Sequence, residues 1–106
     1  MRRQAFSAPV PVLSGATTGP SAVIPVNQCI DTTHAVTYGP GTSAGTVVVE
    51  SSDNAAGPWF TEGTMAWAAA SSQLNLQVNK RVSFIRHRIS VNVVGGTAGS
   101  TVQGEL

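Results

Sequence analysis

Charged residues are scarce in this sequence. Only 10% of its 106 residues are Asp, Glu, Lys or Arg, whereas about 25% is usual for a soluble domain. The net charge is +1, and the arginines form two small groups, one at the N-terminus and one around residue 85 (Arg2 and Arg3; Arg81, Arg86 and Arg88). Because such groups provide no basic face for a phosphate backbone, we expect no nucleic-acid partner. So little charge contributes little to solubility, and we expect partner proteins to cover much of the surface.

Cysteines and long apolar runs are also lacking. Cys29 is the only cysteine, so no internal disulfide can form, which fits synthesis in a reducing compartment. No run approaches the ~18 apolar residues of a membrane span, and we expect no membrane contact. The paired arginines at the start resemble part of a secretion signal. Residues 7–13 are, however, too few and too interrupted by proline to form its apolar segment, so we expect no signal.

No segment has the pattern of a stable helix. The run Ala68–Ala70 is the one place where a short helix could form, and a helix of that length would be marginal. Valine, threonine, serine and glycine are frequent instead, which is typical of an all-β domain with many short turns. At this length we expect residues 1–106 to form a single domain with its own core.

The clearest strand lies at residues 82–94. One side of the alternating pattern carries apolar residues and one histidine, and the other side carries polar residues (Ile85, His87, Ile89, Val91 and Val93; Arg86, Arg88, Ser90 and Asn92). A period of two with β-branched residues on one side predicts a strand that covers a core on one face. We predict that it is central in its sheet. Gly95 and Gly96 then indicate a turn, and residues 101–106 alternate again, which predicts a closing hairpin.

Further strands are predicted on both sides of a turn at residues 39–42. Residues 28–38 form one, with a bend at 31–33 and core positions at Cys29, Ala35, Val36 and Tyr38. Residues 46–50 and 74–78 form two more, whereas Gly63 is expected to break a strand and residues 64–72 to be a loop or an irregular strand. The total of about seven or eight short antiparallel strands predicts a β-sandwich or jelly roll.

The N-terminal segment is rich in proline, which excludes helix and central strand positions. Two arrangements remain open for it. Its residues form irregular edge strands of the domain's own sheet, or residues 1–13 form an extended arm that reaches a neighbouring subunit. For the arm, the predicted contacts to a partner are made by Arg2, Arg3, Phe6, Val10 and Val12, because the prolines stiffen the segment and reduce the entropy lost on docking.

The candidates for chemistry are few. His34, His87 and Cys29 have no spacing of a zinc site, and we interpret both histidines as structural. The carboxylates lie next to turns or on exposed strand faces, and no nucleophile elbow is present. We therefore predict no catalytic residues, no metal and no cofactor.

The large aromatic residues of the middle segment and two arginines are the candidates for binding. Trp59, Phe60 and Trp67 are interpreted as core residues, with contact to a sugar ring or a protein partner as the alternative. Arg86 and Arg88 point the same way from one strand. They are expected to pair with Glu50 or Asp53 across the sheet or to face solvent. Alternatively, they bind a carboxylate on a neighbouring protein, and Trp59 is then expected to contact the same partner.

Residues 47–53 (VVVESSD) with 57–59 (GPW), and residues 84–89 (FIRHRI) with the ending 102–106 (VQGEL), resemble small β-sandwich proteins of tailed-bacteriophage virions. The resemblance covers residues 46–106. It implies a non-enzymatic capsid decoration (cement) protein that is made in the host cytoplasm, binds the major capsid protein and stabilises the head shell from the virion surface. A homo-oligomer, either a dimer or a trimer, is expected. The alternatives are a tail or fibre-base structural protein and a carbohydrate-binding β-sandwich module.

Overall fold

The computed structural model describes residues 9–69 and 72–105, and within these residues it contains strands and no helix. Nine strands are present in this part of the chain: β1 (Val10–Ala16), β2 (Gly19–Pro20), β3 (Ile24–Cys29), β4 (Asp31–Tyr38), β5 (Ala44–Ser52), β6 (Phe60–Ala66), β7 (Gln73–Val78), β8 (Val82–Val94) and β9 (Ala98–Glu105). They form two antiparallel sheets, so the predicted all-β sandwich is confirmed.

The two sheets differ in the number and order of their strands. The first sheet has the order β1-β9-β4-β7. The second has the order β2-β8-β5-β6, and β3 pairs with β8 next to β2. Because β8 has partners on both of its edges, its predicted central position is confirmed.

The core between the sheets consists of two apolar clusters. The larger contains Leu13, Val36, Tyr38, Val47, Val49, Met65, Val78, Ile89, Val93 and Ala98, and the smaller contains Val26, Cys29, Val82, Ile85 and Val102. These residues are mostly β-branched and come from alternate strand positions, so each strand contributes one apolar face. The Tyr38 hydroxyl donates a hydrogen bond of 2.5 Å to the carbonyl oxygen of Met65, which joins β4 of the first sheet to β6 of the second.

The alternation in β8 does not continue to Val91, as the sequence pattern predicted. Ile89 is 6% exposed, whereas Val91 is 50% exposed. Val47 pairs with Ile89 and the preceding Thr46 pairs with Val91, so β8 contains one extra residue at this point. Such a β-bulge changes the face to which the following residue points. The prediction of a core position for Val91 is therefore wrong.

The predicted hairpin at the C-terminus is also wrong. β8 lies in the second sheet, whereas β9 pairs with β1 and β4 in the first. The turn at Gly95 and Gly96 connects β8 of the second sheet to β9 of the first. The turn between β4 and β5 also connects the two sheets. These two crossings touch: a Cβ built at Gly95 would lie 2.2 Å from the carbonyl oxygen of Gly41, and both glycines have positive φ angles of 84° and 86°. Only glycine fits this contact without strain.

Two local predictions in the middle of the chain are wrong as well. Residues 31–33 form no bend, because Asp31 starts β4, which is separate from β3. Gly63 does not break a strand but lies inside β6, where a Cβ would meet the Leu76 side chain of the opposite sheet at 2.6 Å. A side chain at this position would require Leu76 to move, so the absence of one at Gly63 lets the sheets approach closely here.

For residues 10–13 the structure shows the first of the two arrangements that the sequence left open. Val10 pairs with Val102, Pro11 with Thr101 and Leu13 with Ser100, so this segment is an edge strand of the first sheet. The side chains of Val10 and Val12 pack, partly buried, against the smaller core cluster of their own domain. Arg2, Arg3 and Phe6 lie outside the described residues.

Two positions on β8 test the inward face of this strand. Ile89→Asp places an unpaired charge in the larger core cluster, and we expect it to lower the free energy of unfolding by about 4 kcal/mol or more. Val91→Asp is the matched control, because the side chain is half exposed, and we expect a loss of about 1 kcal/mol or less. Urea denaturation measures both. Equal losses would contradict the bulge and the orientation of β8.

Candidate interaction site

The register between β5 and β8 places one carboxylate next to two guanidinium groups. Glu50 pairs directly with Arg86, and Val48 pairs with Arg88. All four side chains lie on the outer face of the second sheet, because Val47, Val49, His87 and Ile89 occupy the inner positions that alternate with them. A residue near the middle of the chain and two residues near its end thus meet on one surface.

Glu50 is almost completely enclosed by this contact. Its Oε1 accepts a hydrogen bond of 2.8 Å from Arg86 Nε, and its Oε2 accepts one of 3.2 Å from Arg88 Nε. The Glu50 side chain is 7% exposed, compared with 23% for Arg86 and 38% for Arg88. Since a carboxylate out of water must be paired, Glu50 fixes the direction of both arginines. The predicted pairing of these arginines with Glu50 is confirmed.

Trp59 adds an aromatic surface to the cluster. The guanidinium carbon of Arg86 lies 4.5 Å from the centroid of the Trp59 ring, which is the geometry of a cation–π contact. A Cβ built at Gly57 would come within 2.8 Å of this ring, so the loop before β6 folds tightly around its own tryptophan. We call Glu50, Trp59, Arg86 and Arg88 the arginine cluster.

The arginine cluster has a net charge of +1. Glu50 occupies the Nε groups, and each guanidinium carries four further N–H donors on its two terminal nitrogens. Arg86 and Arg88 remain partly exposed, so these donors can reach an anionic group from outside. A planar guanidinium held in place binds a carboxylate through two parallel hydrogen bonds. Binding of a neighbouring protein's carboxylate stays a prediction.

A second polar group lies beside a cleft at one end of the same sheet. The Glu62 carboxylate accepts a hydrogen bond from the Ser51 hydroxyl and pairs with Lys80 Nζ at 2.7 Å. The cleft is lined by Ser51, Ser52, Asp53, Phe60, Lys80, Arg81 and Val82. Phe60 is 59% exposed, so its predicted core position is wrong. Trp67, by contrast, packs against the larger core cluster, as predicted.

Inside the sandwich, the two histidines form a hydrogen bond from one sheet to the other. His34 Nδ1 lies 2.8 Å from His87 Nε2. His34 Nε2 lies 2.8 Å from Thr32 Oγ1, and His87 Nδ1 lies 2.6 Å from Ser100 Oγ. The Leu13 amide also donates to Ser100 Oγ, at 3.0 Å. We call this array the histidine chain; it satisfies every ring nitrogen of both histidines.

The histidine chain separates the two apolar clusters. On β8, His87 lies between Ile85 of the smaller cluster and Ile89 of the larger. On β9, Ser100 likewise lies between Ala98 and Val102. The interpretation of both histidines as structural is confirmed, because both are completely buried and bonded to protein groups. In the sequence, both histidines lie among apolar residues, which indicates that each needs a buried hydrogen-bond partner. The sequence does not show which strands face each other, so it does not identify that partner.

Burial keeps both imidazoles neutral at ordinary pH. It lowers the pKa of His34 to about 3, with repulsion from His87 as a second cause, and lowers the pKa of His87 to about 4. With both rings neutral, a single proton lies between them, and all bonds of the chain then run in one direction, either from Ser100 to Thr32 or in reverse.

The distance between Ser100 and His87 would suit a nucleophile and its general base, but their location argues against this role. Ser100 is 4% exposed, and His87 is completely buried between the sheets. A substrate would have to enter the packed core to reach the serine hydroxyl. Among the described residues, no group of His, Cys, Asp and Glu side chains could hold a metal ion.

Comparison with protein-family models, curated proteins and solved structures gave no match for this chain. The described residues include no helix long and apolar enough to cross a membrane.

A double-mutant cycle measures the arginine cluster. We expect the coupling free energy between Glu50→Gln and Arg86→Met to be about 1–3 kcal/mol, because the pair is largely desolvated. The coupling between Glu50→Gln and Arg88→Met should be smaller, because Arg88 is more exposed and its bond is longer. Urea denaturation of the single and double variants gives both values. Zero coupling for Arg86 would contradict the described geometry.

The histidine chain predicts a loss of stability in mild acid. Both folded-state pKa values lie below the usual 6.5, so the unfolded chain binds protons first as the pH falls. The free energy of unfolding should therefore decrease from about pH 6.5 downwards, by up to about 1.4 kcal/mol per pH unit for each histidine.

The window from pH 6.5 to 5 isolates this effect, because carboxylates titrate at lower pH and the sequence has only these two histidines. Urea midpoints measured at intervals across the window report the slope. A stability that does not change across it would show that the histidines are not buried in the neutral form.

Proposed function

We propose that this chain is a non-enzymatic structural protein of a tailed-phage virion, a capsid decoration protein that binds the head shell through the arginine cluster. One observation carries the proposal. The segments 47–59 and 84–89, which resemble virion β-sandwich proteins, are separated by 24 residues of sequence, yet Arg86 of the second segment contacts both Glu50 and Trp59 of the first. The resemblance thus includes this surface site in addition to core positions such as Val47, Ile85 and Ile89.

The physical character of the arginine cluster suits attachment to a protein shell. Glu50 orders Arg86 and Arg88 before any partner arrives, so little side-chain entropy remains to be lost on binding. Trp59 supplies a large and rigid contact area next to these charges, and tryptophan and arginine are enriched among residues that dominate binding energies. The matching surface on the major capsid protein would present carboxylates to the arginine terminal nitrogens.

The alternatives differ from this proposal in measurable ways. A tail or fibre-base protein would use the same kind of surface but would be present in few copies. A carbohydrate-binding module would need an accessible aromatic ring. Trp59 already contacts Arg86 on one side, and Trp67 packs against the core, so the tryptophans favour protein binding over sugar binding.

The composition of purified particles tests the proposal. Particles banded from a lysate of cells that carry the gene are analysed by quantitative mass spectrometry, relative to the most abundant shell protein. We expect a copy number of the same order as that of the shell protein. A few copies per particle would favour the tail alternative. Absence from particles, with the chain abundant in the same lysate, would contradict both virion functions.

A variant identifies the attachment site. Arg88→Gln removes the more exposed guanidinium and leaves Glu50 paired with Arg86. Added to particles that lack the chain, this variant should bind at least about tenfold more weakly than the unchanged protein. Lys80→Gln is the matched control, because Lys80 is exposed and lies in the other polar group. If both variants bind as the unchanged protein does, the arginine cluster is not the attachment site.

A further inference from the structure

Phe60 is exposed although its register directs it towards the inside of the sandwich. It pairs with Ser51, which pairs in turn with Ile85 of the smaller core cluster, and residues directly opposite each other in a sheet share a face. Yet Phe60 is 59% exposed, whereas Ile85 is 1% exposed. The inner face of the second sheet is therefore uncovered at the end where β6 begins.

The first sheet stops short of this aromatic ring. β7 ends at Val78, and Lys80, which follows in the turn to β8, pairs with Glu62 of β6. Beyond this pair lies the cleft that Phe60, Lys80 and Arg81 line, with a volume of about 330 Å³. Pockets for small ligands begin at about this size, so the cleft has room for a small molecule.

The charges around the cleft cancel. Lys80 and Arg81 are cations, whereas Asp53 and the Glu62 that holds Lys80 are anions. The side chains of Asp53 and Arg81 form no ion pair or hydrogen bond with the described part of the chain. A carboxylate acceptor and a guanidinium donor are therefore both available to a ligand. A ligand with a net charge would meet an unfavourable charge as well as a favourable one.

A neutral sugar has the chemistry that this cleft matches. One face of a pyranose ring presents C–H groups that can pack against an aromatic ring, and its edge presents hydroxyls that both donate and accept hydrogen bonds. Phe60 supplies an accessible ring, which neither tryptophan provides, while Asp53 and Arg81 supply an acceptor and donors. A purely apolar ligand would instead take these charged groups out of water without giving them a partner.

We propose that this cleft binds a neutral mono- or disaccharide, with one sugar ring stacked on Phe60 and its hydroxyls bonded to Asp53 and Arg81. This binding site is separate from the arginine cluster and does not depend on the proposed virion function.

A nuclear magnetic resonance titration of the isotopically labelled protein tests the site. The probes are glucose, galactose, N-acetylglucosamine, maltose and lactose. We expect at least one of them to cause saturable shifts of the amide signals at residues 51–53, 60 and 80–82, with a dissociation constant in the millimolar range. No saturable shift with any of these sugars in the tens of millimolar range would overturn the inference.

Variants of the cleft locate the sugar. Phe60→Ala should raise the dissociation constant at least about tenfold, because it removes the stacking surface, whereas Phe60→Tyr keeps the ring and should bind as the unchanged protein does. Arg81→Gln removes the charged donors and should weaken binding at least about threefold. Both side chains are exposed, so we expect these variants to remain folded, which urea denaturation verifies.

Val91→Ala is the matched control, because Val91 is an apolar residue of similar exposure on the other face of the same sheet. It should bind the sugar as the unchanged protein does. Binding that survives Phe60→Ala or Arg81→Gln, or that Val91→Ala reduces equally, would overturn the inference. So would tighter binding of glucuronate than of glucose, since that result would identify an anion site.

Discussion

The hydrogen bond between His34 and His87 determines how this sandwich is assembled. Each histidine is completely buried, and a buried imidazole without a partner would be costly. The bond therefore requires β4 and β8 to face each other across the core with both residues inward. Because neighbouring strand residues point to opposite faces, an inward His87 places Arg86 and Arg88 outward. The external arginine cluster thus depends on an internal contact.

The pairing of strands also determines where charged residues meet. Glu50 lies outward on β5, where the register with β8 puts Arg86 opposite it, and Glu62 has Lys80 as its partner. The ion pairs described above thus belong to the second sheet, whereas the acidic residues Asp31 and Glu105 pair in register at one end of the first sheet. The terminal nitrogens of Arg86 and Arg88 can hold a carboxylate from outside.

Sequence patterns predicted the parts of this fold that depend on local alternation. The strand around Ile89 and the pairing of Arg86 with Glu50 follow from a period of two and from complementary charge. The predictions that were wrong concern the register and the pairing of different strands. A bulge in β8 turned Val91 outward, and the turn at Gly95 crosses to the other sheet because β4 and β1 offer partners to β9. No pattern within one strand shows which sheet the strand will join. The alternation of residues also does not explain why Phe60 is exposed.

The central claim is our proposal that the arginine cluster attaches the protein to a particle shell. A cryo-electron microscopy reconstruction of a particle that contains the chain tests this most directly. The account predicts that Arg86 and Arg88 lie within hydrogen-bonding distance of carboxylates on the shell protein, with Trp59 buried in the same contact. A reconstruction in which the arginine cluster faces solvent while another surface contacts the shell would contradict it.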